Sequence, residues 1–231
     1  MSVTFINELI ENYYEELDLN YGTTFLRGQI FWTYVYYDIR EDLRIWRPVQ
    51  LDDTNTSANE FKIEHAGKDA FKRKNPLTFP KLQTDEEFPV VIAKKRPVIL
   101  LTPSPPLIND VFPIRGGGKI NRNLCLVAPL YSIINKISGQ TKYIQEFVDR
   151  IRKLKYPHLF YIPENIAYGI RDSIGRFDSI QAAFQSQLEA TRLKFNDEFL
   201  EVFEGQLEYF LTGIFKEDNA YLGYRKELLN P

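Results

Sequence analysis

The amino-acid sequence predicts a mainly β fold with helical additions, an α+β chain, and three observations carry that expectation. The run from Phe25 to Tyr37 is dense in β-branched and aromatic residues. Val98-Ile99-Leu100-Leu101 and Leu124 to Leu130 are unbroken apolar runs, the pattern of strands buried on both faces. Towards both ends the apolar residues instead fall at helical spacing.

Composition bounds the function classes. A chain of 231 residues can bury one substantial core with elaborations. Its 44% hydrophobic and 26% charged content is that of an ordinary globular protein and excludes a disordered one. With 17 Phe and 14 Tyr, an aromatic-rich core or adhesive surfaces are expected. The formal net charge of -2 excludes a surface that is basic throughout, so any phosphate binding must come from a local basic patch. A single cysteine, Cys125, allows neither an intramolecular disulfide nor a cysteine zinc cluster, in keeping with a reducing compartment. Residues 1 to 17 carry acids among their apolar residues, and no window reaches about 18 apolar residues, so a cytoplasmic protein with no membrane span is expected.

In chain order, Phe5, Leu9, Tyr13 and Leu17 predict an N-terminal helix over 3–19, stopped at Tyr21-Gly22. Gln29 to Tyr37 is the first strand. From about 38 to 88 the text turns polar, with Asp52 to Ser57, the basic run Lys72-Arg73-Lys74, and Pro76 and Pro80; it reads as an insertion with little regular structure. Val98 to Leu101 is a buried strand closed by Pro103, Pro105 and Pro106. Arg115-Gly116-Gly117-Gly118-Lys119 is a flexible connector, because it lacks the GxxxxGK[ST] spacing of a phosphate loop. Leu124 to Leu130 follows as a strand, then a helix from Gly139 to Lys155 capped by Ser138, with Tyr143, Phe147, Ile151 and Leu154 as its apolar stripe. Leu159 to Ile162 is a short strand. A long helix over about 179–212 carries Leu188, Phe195, Phe199, Val202, Phe203, Leu207 and Phe210. The whole reads as one domain over 1–231.

The chemistry-bearing segment is Arg171 to Gln181. In a strand, Arg176 and Asp178 would project from one face and join a fixed cation to a carboxylate. That pair suits phosphodiester chemistry, since the guanidinium forks onto phosphate oxygens and the carboxylate can take a proton. It equally suits a structural ion pair. His65 and His158 have no spaced carboxylate or cysteine partner, so no metal and no cofactor are assigned. Ser173 and Ser179 lack the setting of a hydrolase nucleophile.

Four ordered blocks resemble the MazF/PemK toxin endoribonucleases: Leu26 to Trp32, Lys95 to Leu101, Leu124 to Ser132, and Asp172 to Gln181. They are similar to the family's opening strand, its Arg-Pro strand, its Pro-x-Thr strand and its Ser-Val-x-Arg-x-Asp-Gln segment. The resemblance implies an SH3-like/PemK-type small β-barrel with an N-terminal helix and a long C-terminal helix. It implies metal-independent cleavage of single-stranded RNA by 2′-hydroxyl attack, an antitoxin protein as partner, and a homodimer. Carried over by position, Arg96 stabilises the transition state, Arg176 donates a proton or holds phosphate, Asp178 is the general base, and Ser132 supplies the hydroxyl donor. Arg27 and Tyr131 bind substrate. Arg47, in a second Arg-Pro-Val at 47–49, is a further substrate-binding candidate and the runner-up to Arg96, which is preferred because an apolar strand follows it. Tyr131 stands where the family carries threonine. A second function class therefore stays open: a catalytically inactive barrel acting as a protein-interaction or nucleic-acid-binding module.

Overall fold

The computed structural model describes residues 5–36, 43–48, 60–67, 70–72, 76, 81–102, 111–113, 119–121, 123–135, 137–216 and 219–229. In chain order its elements are α1 (Ile6–Leu9), β1 (Tyr14–Glu16), β2 (Gln29–Tyr36), β3 (Arg44–Pro48), β4 (Phe61–His65), β5 (Phe88–Pro89), β6 (Ala93–Leu100), β7 (Val111–Pro113), β8 (Lys119–Asn121), β9 (Leu124–Ser132), α2 (Gln145–Arg152), β10 (Leu159–Ile162), β11 (Ser173–Arg176), β12 (Gln181–Phe184), β13 (Glu189–Phe195), α3 (Asp197–Thr212) and α4 (Ala220–Leu229). They fall into two compact units, Met1–Val35 with Lys95–Pro231, and Tyr36–Lys94.

The fold is mainly antiparallel β with helices, as the sequence leads one to expect. The larger sheet runs β1-β13-β2-β6-β9-β11-β10, with β12 paired to β9 off this path. Among the described residues β10 is not paired back to β1, so the sheet is open and not a closed barrel. Strand β9 is its hinge. Along one edge it pairs with β6, Val98 facing Pro129 and Leu100 facing Val127. Along the other it pairs first with β12 and then with β11, where Tyr131 faces Ile174. Between β11 and β12 the chain makes a one-turn 3-10 helix, Phe177–Ser179.

Aromatic packing fastens α3 to this sheet. Phe160, Phe195, Phe199 and Phe203 are fully buried, and the ring of Phe203 meets those of Phe160, Phe177 and Phe195 at 5.2, 5.1 and 5.5 Å. The helix starts where Asn196 caps it, its Oδ1 accepting from the Phe199 N–H at 2.8 Å, with Asp197 and Glu198 complementing the dipole. It stops at Gly213, whose φ of 70° is the left-handed conformation that glycine adopts freely. One polar side chain is buried with the rings: the Gln206 amide nitrogen donates to the carbonyls of Tyr156 (2.8 Å), Pro157 (3.2 Å) and Leu159 (2.7 Å). It thereby pins the segment that enters β10.

Three helix boundaries differ from expectation. The N-terminal helix is only α1, and the fully buried residues are Ile6 and Ile10, outside the expected stripe. Tyr14 is drawn into β1 by pairing with Phe195, and its hydroxyl donates to the Pro163 carbonyl at 2.5 Å. Burial, with the neighbouring Tyr161 and Asp172 adding to it, pushes that phenol far above its ordinary range. The helix expected from Gly139 shrinks to α2, because Ile134 is bridged to Thr141, the Asn135 N–H donates to the Gln140 carbonyl at 2.8 Å, and Gly139 is left-handed at φ 68°. The first half of the expected 179–212 helix is β12 and β13, where Thr191 donates to the Ile30 carbonyl at 2.6 Å. Leu188 and Phe195 fit the helical spacing while belonging to neither turn of a helix; each packs in the sheet's core.

The second unit corrects the expectation of an irregular insertion, since it holds a three-stranded sheet in the order β4-β3-β5. Trp46 stacks on Phe61 at 3.9 Å and tilts against Phe88 at 5.8 Å. Asp52 to Ser57, Arg73-Lys74, Pro80, Pro103 to Pro106 and Arg115 to Gly118 lie outside the described residues. Among the described residues no helix is long and apolar enough to cross a membrane.

Replacing Gln206 with leucine removes the N–H donors of three enclosed carbonyls while keeping volume. It is expected to lower the unfolding free energy by about 2 kcal/mol, read as a lower urea midpoint at unchanged slope.

Candidate functional site

The site forms where three strands bring side chains to one ring. On β6, Val98 faces Pro129, so two residues earlier Arg96 comes opposite Tyr131 on the same face of the sheet. Its guanidinium carbon lies 4.5 Å from the centre of the Tyr131 ring. On the other side of β9, Ile174 faces Tyr131, and Arg176, two residues on, presents its guanidinium carbon 5.2 Å from the same ring. Cations at such distances are attracted by the ring quadrupole, and the ring lets two like charges share one place.

Asp178 joins them, though not by strand alternation. Arg176 ends β11, and the 3-10 turn that follows swings Asp178 back onto it. The result is a two-pronged pair, Nε to Oδ1 at 3.0 Å and Nη2 to Oδ2 at 2.6 Å. About a third of each side chain stays exposed, 30% for Arg176 and 36% for Asp178, so the pair is open to solvent. Partial burial works to raise the Asp178 carboxyl, but the hydrogen bonds and charge of Arg176, aided by the charge of His158, hold it below the usual carboxylate range. It is therefore ionised at neutral pH.

The remaining candidates go elsewhere. Ser132 is next to Tyr131, yet its hydroxyl donates to the Ile134 carbonyl at 2.8 Å and accepts from the Ile134 N–H at 3.2 Å, closing a local turn. Lys142 caps the same strand end, its Nζ donating to the Ser132 carbonyl at 2.7 Å. Arg27 lies beside α3, its Nε 2.5 Å from Glu204 Oε1 in an ion pair. Both line a cleft of about 900 Å³ with Glu201, Glu208 and Lys216. Burial there raises the Glu204 carboxyl despite the charge of Arg27. Arg47 is committed to the second unit's sheet, Nη2 to the enclosed Glu87 at 2.8 Å and Nη1 to Glu64 at 3.5 Å.

The residue that sequence reasoning left without a role is His158. It sits just before β10, and its carbonyl accepts the Phe177 N–H at 3.0 Å, which ties it to the turn bearing Asp178. Its ring meets that of Tyr156 edge-on at 6.1 Å. Its position ahead of the apolar run Leu159 to Ile162 was the available signal. Among the described residues no three His, Cys, Asp or Glu side chains gather in one place. No family model, no curated protein and no solved structure matches the chain.

Because the folded Asp178 carboxyl titrates below its unfolded counterpart, the stability contributed by its pair with Arg176 is complete above the unfolded carboxyl's range near pH 3.9 and fades as pH falls through the folded value. Comparing acid unfolding of the wild type with Asp178→Asn checks this: the variant should be less stable at pH 7, with the difference closing under acid.

Proposed function

We propose that this chain is a MazF/PemK-like toxin, a metal-independent endoribonuclease of the SH3-like/PemK type that cleaves single-stranded RNA by attack of the ribose 2′-hydroxyl. The observation that carries the reading is the pair of guanidinium groups at one tyrosine ring, with a solvent-open carboxylate forked onto one of them. Cleavage needs a proton taken from the 2′-oxygen and charge neutralised on the phosphorane. Arg96 and Arg176 supply fixed positive charge for the phosphoryl oxygens, and Asp178, ionised at neutral pH, takes the proton. Tyr131 orients both arginines and offers a ring for a base to stack on, in place of the family's threonine. The protein would act as a cytoplasmic homodimer restrained by an antitoxin.

A second reading, a catalytically inactive module that binds nucleic acid or protein, draws on one specific feature. Ser132 and Asp178 are both engaged within the chain, the first with Ile134 and the second with Arg176.

Incubating mixed-sequence single-stranded RNA with the protein in EDTA separates the two. The nuclease reading expects cleavage that leaves 2′,3′-cyclic phosphate ends and falls by about 10²-fold or more in Arg96→Ala and in Asp178→Ala. Binding without cleavage selects the second reading.

A further inference from the structure

The carried-over roles leave one step without an agent. When the 2′-oxygen attacks phosphorus, the bond to the 5′-oxygen breaks and that oxygen must gain a proton. Arg176 is unsuited to give it: a guanidinium does not deprotonate near neutral pH, and its Nε and Nη2 hydrogens already point at Asp178. Asp178 is unsuited as well, since it enters the reaction ionised.

We infer that His158 is the general acid of this site, held in place by Gln206 from α3. The inference rests on the ribonuclease reading above and completes it. Three observations place His158 there. His158 immediately precedes β10, the strand whose Leu159 pairs with Arg176, so its backbone enters the sheet beside the end of β11. Its carbonyl accepts the Phe177 N–H at 3.0 Å, which anchors it to the turn that carries Asp178. Gln206 then holds the carbonyls on both sides of it, at Tyr156, Pro157 and Leu159, so this segment cannot drift from the site. The Asp178 carboxylate, on the turn after β11, is within electrostatic reach of the imidazole, and the Tyr156 ring of its own segment meets it edge-on at 6.1 Å. Histidine is also the one side chain that exchanges a proton near neutral pH without special tuning.

The protons balance as follows. The 2′-hydroxyl gives its proton to the Asp178 carboxylate as the new bond to phosphorus forms. The electron pair of the breaking bond goes to the 5′-oxygen, which takes the imidazolium proton of His158. The products are a 2′,3′-cyclic phosphate and a 5′-hydroxyl, and exchange with water returns Asp178 and His158 to their starting states.

The test uses two versions of one RNA oligonucleotide, cut at a position first mapped with the wild type. One has the natural 5′-oxygen at that position and the other a bridging 5′-sulfur, whose thiolate leaves without protonation. His158→Ala and His158→Gln should lose about 10²-fold or more on the oxygen substrate and less than about 5-fold on the sulfur one. Retained cleavage of the sulfur substrate shows that the variants fold, so this pattern cannot come from misfolding. Wild-type cleavage with equal losses on both substrates, or no loss on either, overturns the general-acid role and leaves the nuclease reading standing. No wild-type cleavage of either substrate overturns both.

Discussion

Strand β9 is shared along its length, with β6 on one edge and β12 followed by β11 on the other, and that sharing is the constraint from which the site follows. Two residues of different strands can meet at one ring only if a third strand lies between them in fixed register. Tyr131 is on that third strand. Any one-residue slip of β6 or β11 would turn Arg96 or Arg176 to the opposite face and dissolve the cluster. The buried residues Val98 to Leu100 on β6, with Cys125 and Val127 to Leu130 on β9, hold the register, so the core and the site are two ends of the same strands.

Electrostatics then decides what the cluster can do. Two guanidinium groups beside one ring repel each other, and the ring's electron-rich face and the Asp178 carboxylate offset that repulsion. On the proposed ribonuclease reading, the pairing that keeps Asp178 ionised leaves it without a proton to give, so delivery to the leaving oxygen requires another group. The site is thereby divided between fixed charge on β6 and β11 and a titratable ring at the entry to β10, with α3 supporting the second through Gln206.

Much of this was legible in the residues themselves. The core strands announced themselves as unbroken apolar runs, although Leu126 within the second run is 42% exposed, and the proximity of Arg176 to Asp178 was implied by their spacing even though a 3-10 turn, not alternation, produces it. Helix ends were less legible, because Phe195 and Leu188 satisfy a helical spacing and only the pairing of β13 with β2 and the Asn196 cap decide against it. The strands of the 36–94 unit were hidden by the polar text around Trp46, whose stacking partners Phe61 and Phe88 are distant in sequence. Gln206 carried no local signal and His158 only its place ahead of the apolar run Leu159 to Ile162, since their significance lies in which carbonyls and which turn the fold brings beside them.

The proposed seat for the RNA backbone comprises Arg96, Tyr131, Arg176 and Asp178. Its most direct test is nuclear magnetic resonance of the isotope-labelled protein titrated with a single-stranded 2′-O-methyl oligonucleotide, which binds without being cut. Salt-dependent shifts are expected, concentrated on the side-chain signals of Arg96 and Arg176 and the ring of Tyr131. Saturable binding whose shifts leave those three residues untouched, or no binding at low salt, would contradict it.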